Sequence, residues 1–278
     1  MAAKLVTKKE REPSVVAGLR DNLDDEENTK HVALFYGKAG RGKTHVASTF
    51  PKPMLYLNIY NEEGRKTIKG IKGITVADVE TWDDFLDLSM WLQKQRDYET
   101  IVLDQITSLQ DLGQLWMADK HRKSIEDLFG RWGKFWGELS GELKTALQGY
   151  RELRDRYNIV LLAHERVFDQ DENADTNDLA PTVSARTMPS VGGFIEGACD
   201  IIGQCYIRQA KKKDEDGKLT RVAQYCMRVG PHQSYVTKIR RPVSAGPLPE
   251  FIVNPSYRKL IAIEAGTEDI STSKKRRE

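Results

Sequence analysis

Short apolar runs and helical periodicities take turns along much of the chain. His31–Tyr36 (HVALFY), Met54–Ile59 (MLYLNI), Ile74–Ala77 (ITVA), Thr100–Leu103 (TIVL) and Ile159–Ala163 (IVLLA) are four to six residues long and mostly apolar. Runs this short and continuous suit strands covered on both faces, as in a parallel sheet. Between them the pattern predicts helices over about 43–50 and 81–96, and a long helical stretch from about 112 to 156. Strands alternating with helices imply an α/β fold, a mostly parallel sheet with right-handed crossovers and flanking helices.

The pattern changes after residue 197. Asp200–Ile207, Thr220–Val229 and Tyr235–Arg241 read as strands, the first two joined through the charged turn KKKDEDGK (Lys211–Lys218). They are expected to extend the same sheet with antiparallel strands. No internal repeat and no Pro/Ser linker marks off a second domain. The predicted organisation is an N-terminal arm over 1–30, one domain over 31–264, and a polar tail over 265–278 ending in Lys274-Lys275-Arg276-Arg277. That tail reads either as a solvated end or as a nucleic-acid or targeting contact.

Composition narrows the class. Among 278 residues, 43 Lys and Arg face 41 Asp and Glu, a net charge of +2, which excludes a partner chosen by bulk charge alone. Three cysteines, Cys199, Cys205 and Cys226, form no CxxC pair, so neither a disulfide scaffold nor a structural zinc site is expected. The first dozen residues hold no signal-peptide core, and no apolar stretch approaches the ~18 residues a membrane span requires. The expected setting is a reducing cytoplasm, with no membrane partner.

The sharpest chemical signal is Gly37-Lys38-Ala39-Gly40-Arg41-Gly42-Lys43-Thr44, followed by His45. It fits G-x-x-x-x-G-K-[ST] and lies between a predicted strand and a predicted helix, the context that gives the motif meaning. Glycines let successive N–H groups converge on one anion, and the helix start adds its free N–H groups. Lys43 is placed to reach the β and γ phosphates of ATP, and Thr44 to bind Mg²⁺. A random chain of this length would show the pattern on the order of 1% of the time. A second magnesium ligand is expected at Asp104, where an apolar strand ends in an acid at the carboxyl edge of the sheet. An Asp there can also be a plain turn residue or helix cap.

Together with PKPMLYLNIYNEEG (51–64), IVLDQITSLQDL (101–112), IVLLAHERV (159–167) and YVTKIRRP (235–242), the phosphate loop and Asp104 resemble the RecA-like P-loop ATPases. The resemblance is nearest to the phage single-strand-annealing recombinases in the AAA-like family of phage ATP-binding proteins. It covers residues 31–260, and only the phosphate loop and Asp104 are highly specific. It implies an acid after the second strand that activates water. Glu62 and Glu63 fill that place, Glu63 being preferred because Gly64 follows, although Tyr60 and Asn61 separate both from the strand. It implies a γ-phosphate sensor at His164, with Glu165 an alternative acid.

The same resemblance puts a DNA loop over Ser184–Phe194, where Arg186 meets phosphate and Phe194 stacks on bases, or else packs into the core. It puts Lys238 and Arg240 into a neighbour's ATP site, or leaves them on a solvated strand face. Independently, ten Lys and Arg against three acids over 206–241 give a local net charge of +7, with Lys211, Lys212 and Lys213 as candidate DNA contacts. Trp116, Phe129, Trp132, Phe135 and Trp136 fall at mostly helical spacing and read as core or subunit contact.

The expected activity is ATP hydrolysis with Mg²⁺ by a protein that binds single-stranded DNA and promotes annealing or strand exchange. Its expected partners are further copies of itself in a ring or filament, and a single-strand-binding protein. Two other classes stay open, a P-loop switch or loader acting on a replication protein and a small-molecule P-loop kinase. No compact Arg-rich lid favours the kinase.

Overall fold

Alternate side chains on each central strand enter opposite layers, and this explains the near-continuous apolar runs. In β1 (Val32–Tyr36), Val32, Leu34 and Tyr36 join one core while Ala33 and Phe35 join the other. The same division holds in β2 (Met54–Ile59), β4 (Thr100–Asp104) and β5 (Asn158–Ala163), whose residues are all buried. β3 (Ile74–Val79) lies at the sheet edge and is mostly exposed. The computed structural model describes residues 30–60, 62–130, 135–168, 182–213 and 219–267, with side chains beyond Lys211 in that fourth stretch left out.

One layer is made by α2 (Trp82–Leu92), α3 (Ile106–His121), α4 (Ile125–Phe129), α5 (Trp136–Arg151) and α6 (Pro189–Ala198). The other is thinner, with α1 (Lys43–Ala47) and α7 (Tyr257–Glu264). α2 begins with a capping box: Thr81 accepts from the Asp84 amide, and Asp84 accepts from the Thr81 amide. Among the described residues, the predicted long helix over 112–156 is divided into α3, α4 and α5. Arg122 ends α3 in the left-handed conformation, φ 51°, and Ser124 then caps α4. In the aromatic stripe Phe129 is buried and Trp116, Phe135 and Trp136 pack partly buried against the core, Trp116 on Trp82 at 5.7 Å between ring centroids and Phe129 on Trp136 at 4.9 Å. Trp132 lies outside the described residues.

The sheet order is β11-β9-β8-β1-β5-β4-β2-β3, counting β8 (Ile201–Lys213), β9 (Leu219–Arg228) and β11 (Phe251–Val253), with β10 (Lys238–Ile239) also on β8. β8 runs parallel to β1, and β9, β10 and β11 add antiparallel pairs. This is the expected α/β architecture, a mostly parallel sheet flanked by helices and extended by C-terminal antiparallel strands. The predicted strand over 235–241 is only two residues long.

The section expected to be a polar loop is also more ordered than its composition suggests. β6 (Glu165–Phe168) and β7 (Thr182–Ala185) form a separate antiparallel pair. α6 then starts on Pro189, a favoured first-turn residue, and buries Val191, Ile195 and Ala198 at helical spacing. The arm over 1–29, the turn over 214–218 and the tail from 268 lie outside the described residues. Among those described, no helix is long and apolar enough to cross a membrane.

Candidate nucleotide-binding site

The carboxyl ends of β1, β2, β4 and β5 meet at one edge of the sheet. Tyr36 pairs with Ala163, and Asp104 lies between Asn58 and Leu162. That register alone gathers Gly37, Asp104 and His164, the position where open α/β sheets take ligands. Tyr36 anchors this edge, its hydroxyl donating to the carbonyls of Val183 (3.0 Å) and Val236 (2.9 Å).

The loop that follows needs its glycines. A Cβ at Gly37 would overlap the Cys205 carbonyl on β8, and Gly42 combines φ 87° with the Tyr225 ring 3.0 Å from where its Cβ would stand. Lys43 curls back under the loop and donates to the carbonyls of Gly37 (2.9 Å) and Lys38 (3.1 Å). Only 8% of Lys43 is exposed. Burial lowers the pKa of its ammonium, opposed by Cys205, Asp104, Glu62 and Glu165. Phosphate oxygens, which carry charge of their own, can take over from these two carbonyl acceptors as stronger partners. α1 is shorter than the predicted 43–50 helix, so the anion cradle is chiefly the loop's own N–H groups.

Thr44 and Asp104 come together across the edge, Thr44 Oγ1 lying 3.4 Å from Asp104 Oδ2. The Tyr56 hydroxyl donates to the same carboxylate oxygen. Burial raises the Asp104 pKa, while Tyr56, Lys43 and Thr44 pull it down. A hydroxyl and a carboxylate side by side beside a phosphate cradle are hard oxygen donors of the kind Mg²⁺ takes, so these residues fit the ion.

Of the two acids after β2, the structure brings Glu62 to the site and not Glu63. The chain leaves β2 through Tyr60, φ 35°, and Glu62 then accepts from Gln105 Nε2 and from Ser108 Oγ (2.6 Å). Glu63 opens a 3₁₀ turn on the surface, where its carboxylate pairs with Lys66 at 2.6 Å. The preference for Glu63 is corrected. Gly64 is required for a different reason, because a Cβ there would overlap the Asp104 carboxylate and the Tyr56 hydroxyl. Gly64→Ala should therefore cost about 1–3 kcal/mol of stability and weaken magnesium-dependent ATP binding, measured by thermal unfolding with and without Mg-ATP. Wild-type values for both would show that the carboxylate has room to move.

His164 sits between the loop and the β6–β7 hairpin. Its ring lies beside the Gly37 main chain, and its amide donates to Thr107 Oγ1 at 3.1 Å. Burial, and then the Lys43 charge, hold its pKa below the ordinary value, so the ring is neutral at pH 7. Its carbonyl accepts the Arg186 amide at 2.6 Å. Glu165 turns instead toward β8, accepting from Gln204 Nε2 at 3.0 Å, and Gln204 in turn accepts from Arg228 at 2.7 Å.

Other expectations fall elsewhere. Arg186 is exposed just past β7, on a cleft of about 380 Å³ that it shares with Arg166, Asp111 and Trp136. Phe194 is on α6, half-buried against the core, and not on a loop. Lys211 is exposed near the end of β8, and the side chains of Lys212 and Lys213 lie outside the description. Lys238 and Arg240, expected to reach a neighbour's ATP site, both have partners within the chain. Lys238 donates to the Glu196 carbonyl at 2.8 Å; Arg240 pairs with Asp200 at 3.1 Å and donates to the Gly197 carbonyl at 2.7 Å. Asp200 also accepts from the Val32 amide, which places Arg240 at the opposite end of β1 from the phosphate loop. Tyr56, Gln105 and Ser108 were missed, although a Gln directly after the strand-ending Asp104 is a polar signal at a buried position.

A family profile described as an AAA domain matches residues 29–241, more than half of the chain. The chain belongs to the AAA domain family. Members carry the P-loop ATPase core that the geometry above displays. No curated protein matches the sequence at a significant level. Among solved structures it is similar to the flagellar accessory protein FlaH from Methanocaldococcus jannaschii, at 9% identity, TM-score 0.36, 81% of this chain and 90% of that one. It is similar also to the RadB recombinase, at 13% identity, TM-score 0.37, 70% of this chain and 86% of that one. Similarity that distant says nothing of what this AAA domain acts upon.

Proposed function

We propose that this AAA domain hydrolyses ATP and uses the cycle to hold and release single-stranded DNA during annealing or strand exchange. The observation that carries the reading is the 2.6 Å bond from the Arg186 amide to the His164 carbonyl. One residue thus touches the phosphate loop through its ring and the Arg-bearing hairpin through its backbone.

In this reading the loop amides and Lys43 bind the β and γ phosphates, and Lys43 exchanges its carbonyl partners for phosphate oxygens. Mg²⁺ held by Thr44 and Asp104 would neutralise charge on those phosphates. Glu62, fixed by Gln105 and Ser108, orients a water and takes its proton as the water oxygen bonds to the γ phosphorus. The bond from that phosphorus to the β–γ bridging oxygen breaks, and ADP leaves with that oxygen. The neutral His164 ring registers whether the γ phosphate is present, because both contend for the space beside Gly37 and Lys43. Its backbone transmits the change to Arg186, and Arg166 on the same hairpin offers a second cation for a nucleic-acid backbone.

Phosphate release should rise severalfold on adding single-stranded DNA, and Arg166→Ala with Arg186→Ala together should remove that rise while leaving the DNA-free rate intact. The double variant still responding to DNA would overturn the hairpin route. A wild-type ATPase indifferent to DNA but stimulated by a replication protein would replace this reading with that of a loader.

A further inference from the structure

Glu62 and His164 mark where the γ phosphate ends, but the loop has a second flank. There, Gly40–Val46 form one wall of an open cleft of about 480 Å³, and Thr67, Tyr225, Asn254 and Pro255 form the others. None of Glu62, Asp104 or His164 lines it. A triphosphate lying along the loop with its terminal phosphate at Lys43 and His164 has its other end, and whatever is attached to it, in this cleft. The volume is within the ordinary range for small-molecule sites.

Tyr225 is the feature that needs explaining. It lies on β9 with 47% of its surface exposed, and it lines the cleft. It is also held in place. Its ring lies against Gly42, 3.0 Å from where a Cβ would stand, and its carbonyl accepts the Asn254 amide at 2.8 Å. Asn254 adopts φ 47°, a left-handed turn that Asn tolerates, and the following Pro255 is buried. The Tyr225 ring is thus set against the phosphate loop and left partly exposed where it lines the cleft.

Resting on the nucleotide reading above, we infer that this cleft is the base subsite: a purine stacks on Tyr225, and the exposed side-chain carboxamide of Asn254 lies at its edge. A base–aromatic stack is worth enough to weaken binding about tenfold when the ring is removed. Stacking does not depend on the phosphates, so the two ends of the ligand are separable.

The test uses the full chain, with ATP and inorganic tripolyphosphate as probes. Tyr225→Ala should weaken ATP binding about tenfold or more and leave tripolyphosphate affinity unchanged, while Tyr225→Phe keeps both. The triphosphate of 2-aminopurine riboside should lose fluorescence on binding wild-type protein and keep it when bound to saturation by Tyr225→Ala. Because tripolyphosphate affinity reports an intact loop, a folding defect would show as loss of both ligands. ATP affinity unchanged in Tyr225→Ala, or both ligands lost equally in it and in Tyr225→Phe, overturns the stacking role. Wild-type protein binding neither probe overturns the nucleotide reading itself.

Discussion

Phosphate release by the Lys43→Ala protein should fall by at least about 10³-fold, the largest effect expected of any single substitution here. Lys43 is the one cation buried in the loop, and it is held there by two carbonyls that become surplus once phosphate arrives. Removing it leaves the Gly37 and Lys38 carbonyls facing the phosphates with no charge between them. Binding should suffer as well as turnover, since a buried ammonium contributes to the ground state and more to the charge that develops later. Malachite-green or coupled assays with titrated ATP separate the two. A variant hydrolysing ATP at the wild-type rate would mean that the loop binds something other than the triphosphate being cleaved.

Glu62→Gln should lower turnover by about 10²–10⁴-fold with ATP affinity kept, and Glu63→Gln should leave both near wild type. The contrast follows from placement. Glu62 is fixed by Gln105 and Ser108 beside the phosphate loop, whereas Glu63 pairs with Lys66 in solvent. An amide at position 62 preserves size and most hydrogen bonding but cannot take the water's proton. Single-turnover measurements with ATP prebound would isolate that step. If Glu63→Gln proves the damaging change, the loop after β2 must rearrange when nucleotide binds.

The pair also shows where sequence reasoning stops. β1, β2, β4 and β5 were legible because each is short, apolar and buried on both faces, and the loop glycines because their spacing is chemically demanding. The choice between two adjacent acids depended on a positive φ at Tyr60 and on Gln105 and Ser108, reached from 43 and 46 residues further along. No local pattern encodes that. Gly64 was noticed for the right position and the wrong reason, since what excludes a side chain there is the Asp104 carboxylate. β6, β7 and α6 were hidden because four-residue strands and a helix carrying three glycines leave too short a periodic pattern to read. For Lys238 and Arg240, alternation along a strand shows which face a side chain takes, but not which partners it meets there within the chain.

Tyr36 has an implication for how the site can move. A phenol has one hydrogen, yet here it serves acceptors 147 and 200 residues away in sequence, one preceding the Arg-bearing turn and one preceding β10. Three distant stretches of backbone therefore meet at the threshold of the phosphate loop and share one proton. A ligand that moves one of them changes which carbonyl keeps that proton, and Gly37, the next residue along, is the first that can take up torsions closed to other residues.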